Sequence, residues 1–145
     1  MMISLLGCSV EQQTKLAHVK GTLAWMRSDW SNAVLHFYEA ESLAAELPDA
    51  EIKLYTDFAL ASAYLMQGED EAAAGKLRNI PETVPDILRA YRFYQEGTIA
   101  FRAKNYAEAA ALFRKSLELS GSDTATQINY ELSKKLSDTQ RDVQH

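Results

Sequence analysis

Apolar residues recur every three or four positions along most of the chain, and short polar pairs interrupt this pattern at intervals. The pattern is clearest in residues 21–43, 60–77 and 97–119, where Ala, Leu and aromatic residues fall at helical spacing. Such spacing is typical of amphipathic helices. A polar pair divides each segment, so we predict a helix, a tight turn and a second helix in each. These pairs are Ser28-Asp29, Gly68-Glu69 and Lys104-Asn105.

The three segments are copies of one another. Aligning "GTLAWMRSDWSNAVLHFYEAESL" (21–43) with "GTIAFRAKNYAEAAALFRKSLEL" (97–119) matches Gly-Thr, an aliphatic residue, Ala and an aromatic residue at the start of each. The middle copy, "LASAYLMQGEDEAAAGKL" (60–77), lies between them, and Ala33, Ala73 and Ala109 correspond in the three copies. Recurrence of this kind indicates stacked helical repeats, since no single helix pair buries its apolar face alone.

Residues at the three turns suit the ends of helices. Asp29 and Asn105 are good N-cap residues, and Glu108 lies three residues after Asn105, as in a capping box. Gly68 can end a helix with a positive φ at no steric cost. The small residues at corresponding places in the first helices, Gly21, Ala61 and Gly97, predict close approach of the paired helices.

The repeat pattern resembles the tetratricopeptide repeat, a helix–turn–helix unit with a period of about 34 residues. The resemblance covers residues 14–121, in repeats of about 14–53, 54–89 and 90–121. It implies an all-α fold, a right-handed superhelical α-solenoid of three repeats with a terminal capping helix. The matching signature positions are Leu60, Ala61, Tyr64, Ala73 and Leu77 in the middle copy, Gly97, Ala100, Tyr106, Ala109, Phe113 and Ser116 in the last, and Gly21, Ala24, Trp30, Ala33, Phe37 and Ala40 in the first.

Residues 122–145 contain the predicted capping helix and the C-terminal tail. Ser122-Asp123 is a helix-start signal, and an apolar stripe follows at helical spacing. This pattern is typical of a terminal helix that shields the last repeat. The run Ile128-Asn129-Tyr130-Glu131-Leu132 is also similar to the repeat components of bacterial Bat-type operons. The stripe residues are Ala125, Ile128, Leu132 and Leu136.

In the tetratricopeptide family, the first helices of the pairs line a concave groove. The resemblance therefore implies a groove that holds an apolar peptide or helix of a partner protein, with Trp25 on its wall and Trp30 in the core. A self-occluded groove, or one that meets other copies of the chain, is the alternative. The implied groove residues are His18, Thr22, Trp25, Met26, Tyr55, Phe58, Ser62, Leu65, Met66, Tyr91, Tyr94, Thr98, Phe101 and Arg102.

Composition narrows the class of function. A formal charge of −5 and a pI near 5.2 argue against a nucleic-acid-binding protein. One cysteine and three scattered histidines do not suggest a metal site, and we expect no cofactor. The chain has no phosphate-binding glycine loop, no GxSxG elbow and no HExxH motif, so we expect no catalytic residues and no enzymatic activity. These exclusions are consistent with the protein–protein interaction module that the resemblance implies.

Residues 1–13 are predicted to form an N-terminal segment, for which the sequence allows two interpretations. Leu5-Leu6-Gly7-Cys8 is similar to a bacterial lipobox, in which the cysteine receives a lipid, but the apolar run before it is short for a signal peptide. If Cys8 is lipidated, the chain is expected in the bacterial cell envelope and touches membrane only through this anchor. If the match is an accident, Ile3, Leu5 and Leu6 pack on the first helix and a cytoplasmic location is expected.

Overall fold

The computed structural model describes residues 9–121 and 123–144, which form seven α-helices and no β-strand. The predicted all-helical fold is confirmed for this part of the chain, and the arrangement is compatible with a helical repeat. Cys8 lies outside the described residues. The helices are α1 (Val10–Met26), α2 (Trp30–Ala44), α3 (Ala50–Gln67), α4 (Asp70–Arg78), α5 (Asp86–Arg102), α6 (Tyr106–Ser120) and α7 (Thr124–Gln144).

The chain divides into two compact units, Met1–Asn79 and Ile80–His145. In the first unit α2 packs against both α1 and α3, and α3 packs against α4. In the second unit α6 packs against both α5 and α7. Helices α1, α3 and α5 each begin about one turn before the predicted repeat starts at 14, 54 and 90.

The three predicted turns share one backbone conformation. In each turn a residue with positive φ precedes the N-cap of the next helix, at Ser28 (58°), Gly68 (78°) and Lys104 (63°). The N-cap amide then donates a 2.9 Å hydrogen bond to the carbonyl five residues earlier. These bonds join Asp29 to Ala24, Glu69 to Tyr64 and Asn105 to Ala100. The repeat is therefore present in the backbone geometry as well as in the residue pattern.

Helix capping follows the sequence only in part. The Asp29 carboxylate accepts from the Asn32 amide at 3.3 Å, as predicted. Asn105 occupies the N-cap of α6, but its side chain makes no capping bond, so the predicted capping box is wrong. A capping box forms instead at α1. There the Ser9 hydroxyl accepts from the Gln12 amide at 3.2 Å and the Gln12 side chain accepts from the Ser9 amide at 3.1 Å.

A phenylalanine packs against a glycine in each unit. A Cβ atom on Gly21 would lie 2.6 Å from Phe37 Cε1, and one on Gly97 would lie 2.8 Å from Phe113 Cε1. Both distances are below van der Waals contact, so only glycine lets the paired helices approach this closely. The predicted role of these glycines is confirmed. Ala61, at the corresponding place in the middle copy, is fully buried.

The loop before α5 is fastened by a buried arginine. Arg92 is only 6% exposed, and its Nη1 donates to the Ile80 carbonyl at 3.1 Å. Its Nη2 donates to Glu82 Oε1 at 2.6 Å, and its Nε lies 3.5 Å from Glu96 Oε1. The guanidinium also lies 4.9 Å from the centre of the Phe93 ring. Arg92 thus holds residues 80–85 against α5 by hydrogen bonds and ion pairs.

The terminal helix α7 packs against α6 with its polar side. Its buried residues are Thr126, Ser133 and Ser137, whose small side chains allow close approach. The apolar stripe does not shield the last repeat, because Ile128 is 61% and Leu132 43% exposed. The prediction that this stripe covers the repeat is therefore wrong.

Candidate partner-binding surfaces

The sequence-implied groove residues of the first unit lie on α1 and α3. Met26, Tyr55 and Met66 are exposed, at 73%, 58% and 45%. Thr22 is also exposed, and His18, Trp25 and Ser62 are half-buried. We call Met26, Tyr55 and Met66, with His18 between the two helices, the first-unit face.

Two of the implied groove residues do not belong to this face. Phe58 and Leu65 are buried, at 8% and 7% exposure. Burial of α3 on more than one side explains the difference, because α2 and α4 both pack against it. Neither side chain is available to a partner, and both contribute to the stability of the first unit instead.

His18 connects α1 to α3. The Thr56 hydroxyl donates to the Ile52 carbonyl at 2.7 Å, so its single proton is used there. It must therefore accept from His18 Nε2, which lies 2.8 Å away. The Tyr55 ring meets the imidazole edge-on, with centroids 5.0 Å apart. Burial lowers the pKa of His18, which favours the neutral ring with its proton on Nε2.

The two tryptophans, Trp25 and Trp30, pack against each other. Both are half-buried, and their rings form a T-shaped pair with centroids 5.0 Å apart. Phe101 and Tyr106 form the same pair in the second unit, at 5.3 Å. In each case the rings come from the two sides of a turn, five residues apart in sequence. The pair therefore braces the turn, so Trp25 makes a structural contact at the position where the resemblance implies a groove wall.

The sequence-implied residues of the second unit lie on α5. Tyr91 is 42% exposed, and Arg102 is exposed too. Tyr94, Thr98 and Phe101 are half-buried. The Tyr94 ring packs near the Phe113 ring, with centroids 5.8 Å apart.

A cavity of about 690 Å³ lies beside these α5 residues. Ile87 and Tyr91 of α5 line one side, Ala125 and Thr126 of α7 line another, and Ser116 of α6 also lines it. Sequence reasoning missed the contribution of α7. The signal was present, because Ala125 follows Tyr91 by one tetratricopeptide period.

A second cavity, of about 500 Å³, lies beside His18 in the first unit. Its charged lining residues are three acids and one base. They are Glu11, Asp49, Glu51 and Lys15. Glu11 and Lys15 form an ion pair at 2.8 Å on α1. Lining of this sign favours a cationic group over an anionic one.

Charge is distributed unequally between the two units. The first unit has six Lys and Arg residues against eleven Asp and Glu, and the second has nine against nine. The formal charge of −5 therefore belongs entirely to the first unit. The first-unit face therefore belongs to the negatively charged unit.

No described helix has the length and apolar character needed to cross a membrane. Among the described residues, no three His, Cys, Asp or Glu side chains come together in a way that could hold a metal ion. No protein-family model matches the chain, and no curated protein matches it significantly.

Proposed function

We propose that the chain is a non-enzymatic adaptor of the tetratricopeptide-repeat class, which holds an apolar peptide or helix of another protein against its first helices. The three copies with one turn conformation support the class. The exposed Met26, Tyr55, Met66 and Tyr91 side chains support the binding role and are the observation that carries it.

The residue types on the first-unit face suit protein recognition. Methionine and tyrosine offer large contact areas with little loss of conformational freedom, and both are enriched at interfaces. If no partner covers them, the same side chains leave apolar area in contact with water, which costs about 25 cal/mol of free energy per Å². The acidic character of this unit selects a partner segment with basic residues beside its apolar ones.

A matched pair of tyrosines tests this function. Tyr55 lies on the first-unit face, whereas Tyr38 lies on α2 and is exposed to a similar degree, 58% against 54%. Chemical crosslinking in the native cells, followed by mass spectrometry, should capture a partner with wild type and with Tyr38→Ala. Tyr55→Ala should lose that partner while circular dichroism stays helical. Equal capture of the partner by the two variants would show that the first-unit face does not bind it.

A structural homo-oligomer is the second candidate, and one observation favours it. Leu16, Val19 and Leu23 are 50%, 54% and 44% exposed at helical spacing on α1. A second copy could cover this stripe. Light scattering over a hundredfold concentration range would then show a rising mass that Val19→Ser abolishes, and a constant monomer mass would exclude the oligomer.

A further inference from the structure

Helix α7 packs against α6 with its polar side instead of its apolar side, and this requires an explanation. Its buried residues are small and polar, whereas Ala125, Ile128, Leu132 and Leu136 fall within an arc of about 80° on another side, at about 100° per residue. Of these four, only Leu136 is half-buried, and the others are exposed. A helix whose only task is to cover α6 would use its apolar side for that contact.

The apolar stripe continues the surface of α5. Asn129 Nδ2 lies 3.5 Å from Tyr94 Oη, and Gln140 Nε2 donates to the Lys104 carbonyl at 3.2 Å. The two contacts follow the same order along both segments, so α7 runs beside α5 in the same direction. Ala125, the first stripe residue, already lines the cavity with Tyr91.

The stripe also repeats the spacing of α5. Tyr91, Tyr94 and Thr98 recur one repeat period later as Ala125, Ile128 and Leu132. Helix α7 therefore has the surface pattern of a further first helix.

The size and charge of the residues that line the cavity between α5 and α7 determine which side chain of a ligand it can accept. Two of its lining residues, Ala90 and Ser116, are small and buried, which leaves room for a bulky side chain beside Tyr91 and Ile87. Among its lining residues only Asp123 carries a charge. Hydrogen bonds from the Thr126 hydroxyl and amide lower the pKa of Asp123, which therefore stays ionised.

We propose that α5 and α7 together bind a protein segment that carries a bulky apolar side chain next to a lysine or arginine. The apolar side chain enters the cavity, the basic group pairs with Asp123, and Ile128 and Leu132 cover the rest of the segment's apolar side. This proposal rests on the proposed function and names the chemistry of the partner at the second unit.

Synthetic peptides test this chemistry on the full chain. Three peptides would share one tryptophan anchor and differ only in its neighbours, which are arginine, serine or glutamate. Fluorescence anisotropy should give the arginine peptide about tenfold tighter binding than the glutamate peptide. Asp123→Asn, which keeps a capping side chain, should abolish that preference. Equal affinities for the three peptides, or a preference that survives Asp123→Asn, would overturn the proposal.

Variants of the stripe separate this proposal from the proposed function. Leu132→Ser should weaken the arginine peptide about tenfold, whereas Leu35→Ser, at an exposed leucine of α2, should leave it unchanged. If the partner captured in cells depends on Tyr55 but peptide binding ignores Leu132, the adaptor function stands and this inference fails. Self-association abolished by Leu132→Ser in sedimentation would also overturn it, because a second copy would then occupy the stripe.

Discussion

Contacts between single residues set the distance between paired helices. Gly97 meets the Phe113 ring and Gly21 meets the Phe37 ring, so one contact occurs in both units. The phenylalanine rings are almost fully buried and cannot move aside without displacing their neighbours. A methyl group at either glycine would therefore force the helices apart.

The Gly97→Ala variant is expected to lose about 1–3 kcal/mol of unfolding free energy through overpacking. Urea denaturation followed by circular dichroism measures the loss. Gly75→Ala is the matched control, since only the end of the Arg78 side chain lies near its Cβ, at 3.7 Å. The control should be neutral or more stable by up to about 1 kcal/mol. Equal losses in the two variants would contradict the role of the Phe113 contact.

His18 gives the stability of the first unit a pH dependence. Burial lowers its pKa in the folded state, so the unfolded chain binds more protons below pH of about 6.5. The stabilisation is complete above that pH and is lost as the pH falls through the lowered pKa. Wild type should lose more unfolding free energy than His18→Gln between pH 8 and pH 5. Burial raises the pKa of Asp57 and Glu96, but both groups are present in both proteins and cancel in the comparison. Parallel losses would show that His18 does not titrate in this way.

At the scale of the element, the turns define the repeat. Ser28 and Lys104 adopt a left-handed conformation that disfavours residues with a Cβ atom, whereas Gly68 adopts it freely. Lys104→Gly should raise the unfolding free energy by about 0.5–1 kcal/mol, and Gly68→Ala should lower it by about 1 kcal/mol. Thermal denaturation of the two variants measures both signs. A loss of stability in Lys104→Gly, or a gain in Gly68→Ala, would contradict the strain assigned to these turns.

Arg92 fixes the segment between α4 and α5. Arg92→Met should destabilise the protein by about 3 kcal/mol, because it leaves the Ile80 carbonyl and the half-buried Glu96 without this partner. The Glu82 carboxylate is 72% exposed, so Glu82→Gln should lower stability by less than about 1 kcal/mol. Guanidinium denaturation measures the difference. Similar losses of unfolding free energy in the two variants would mean that Arg92 stabilises the segment only through its ion pair with Glu82.

Helices and turns could be predicted from the sequence because the apolar period and the turn residues are local signals. The side of α7 that packs against α6 could not be predicted in this way. Its stripe, Ala125 to Leu136, has the correct period for a buried face, but the small Thr126, Ser133 and Ser137 fit more closely against α6. The pairing of Trp25 with Trp30 was missed for a similar reason, since the period places a residue on a face without naming its neighbour.

At the scale of the whole molecule, the two units differ in charge and in the apolar residues that they expose. The first unit holds the negative charge and the exposed Met26, Tyr55 and Met66. The second unit is neutral and holds the cavity beside Tyr91. Under the proposed function, both surfaces bind basic and apolar segments of a partner.

Photo-crosslinking from chosen positions tests the adaptor account most directly. A benzophenone side chain would replace, one at a time, Met26, Tyr55 and Met66 of the first-unit face and Leu35 and Tyr38 of α2. The account predicts adducts with the same partner protein from the three face positions and none with it from α2. Adducts from α2 alone, or only adducts between copies of this chain, would contradict it.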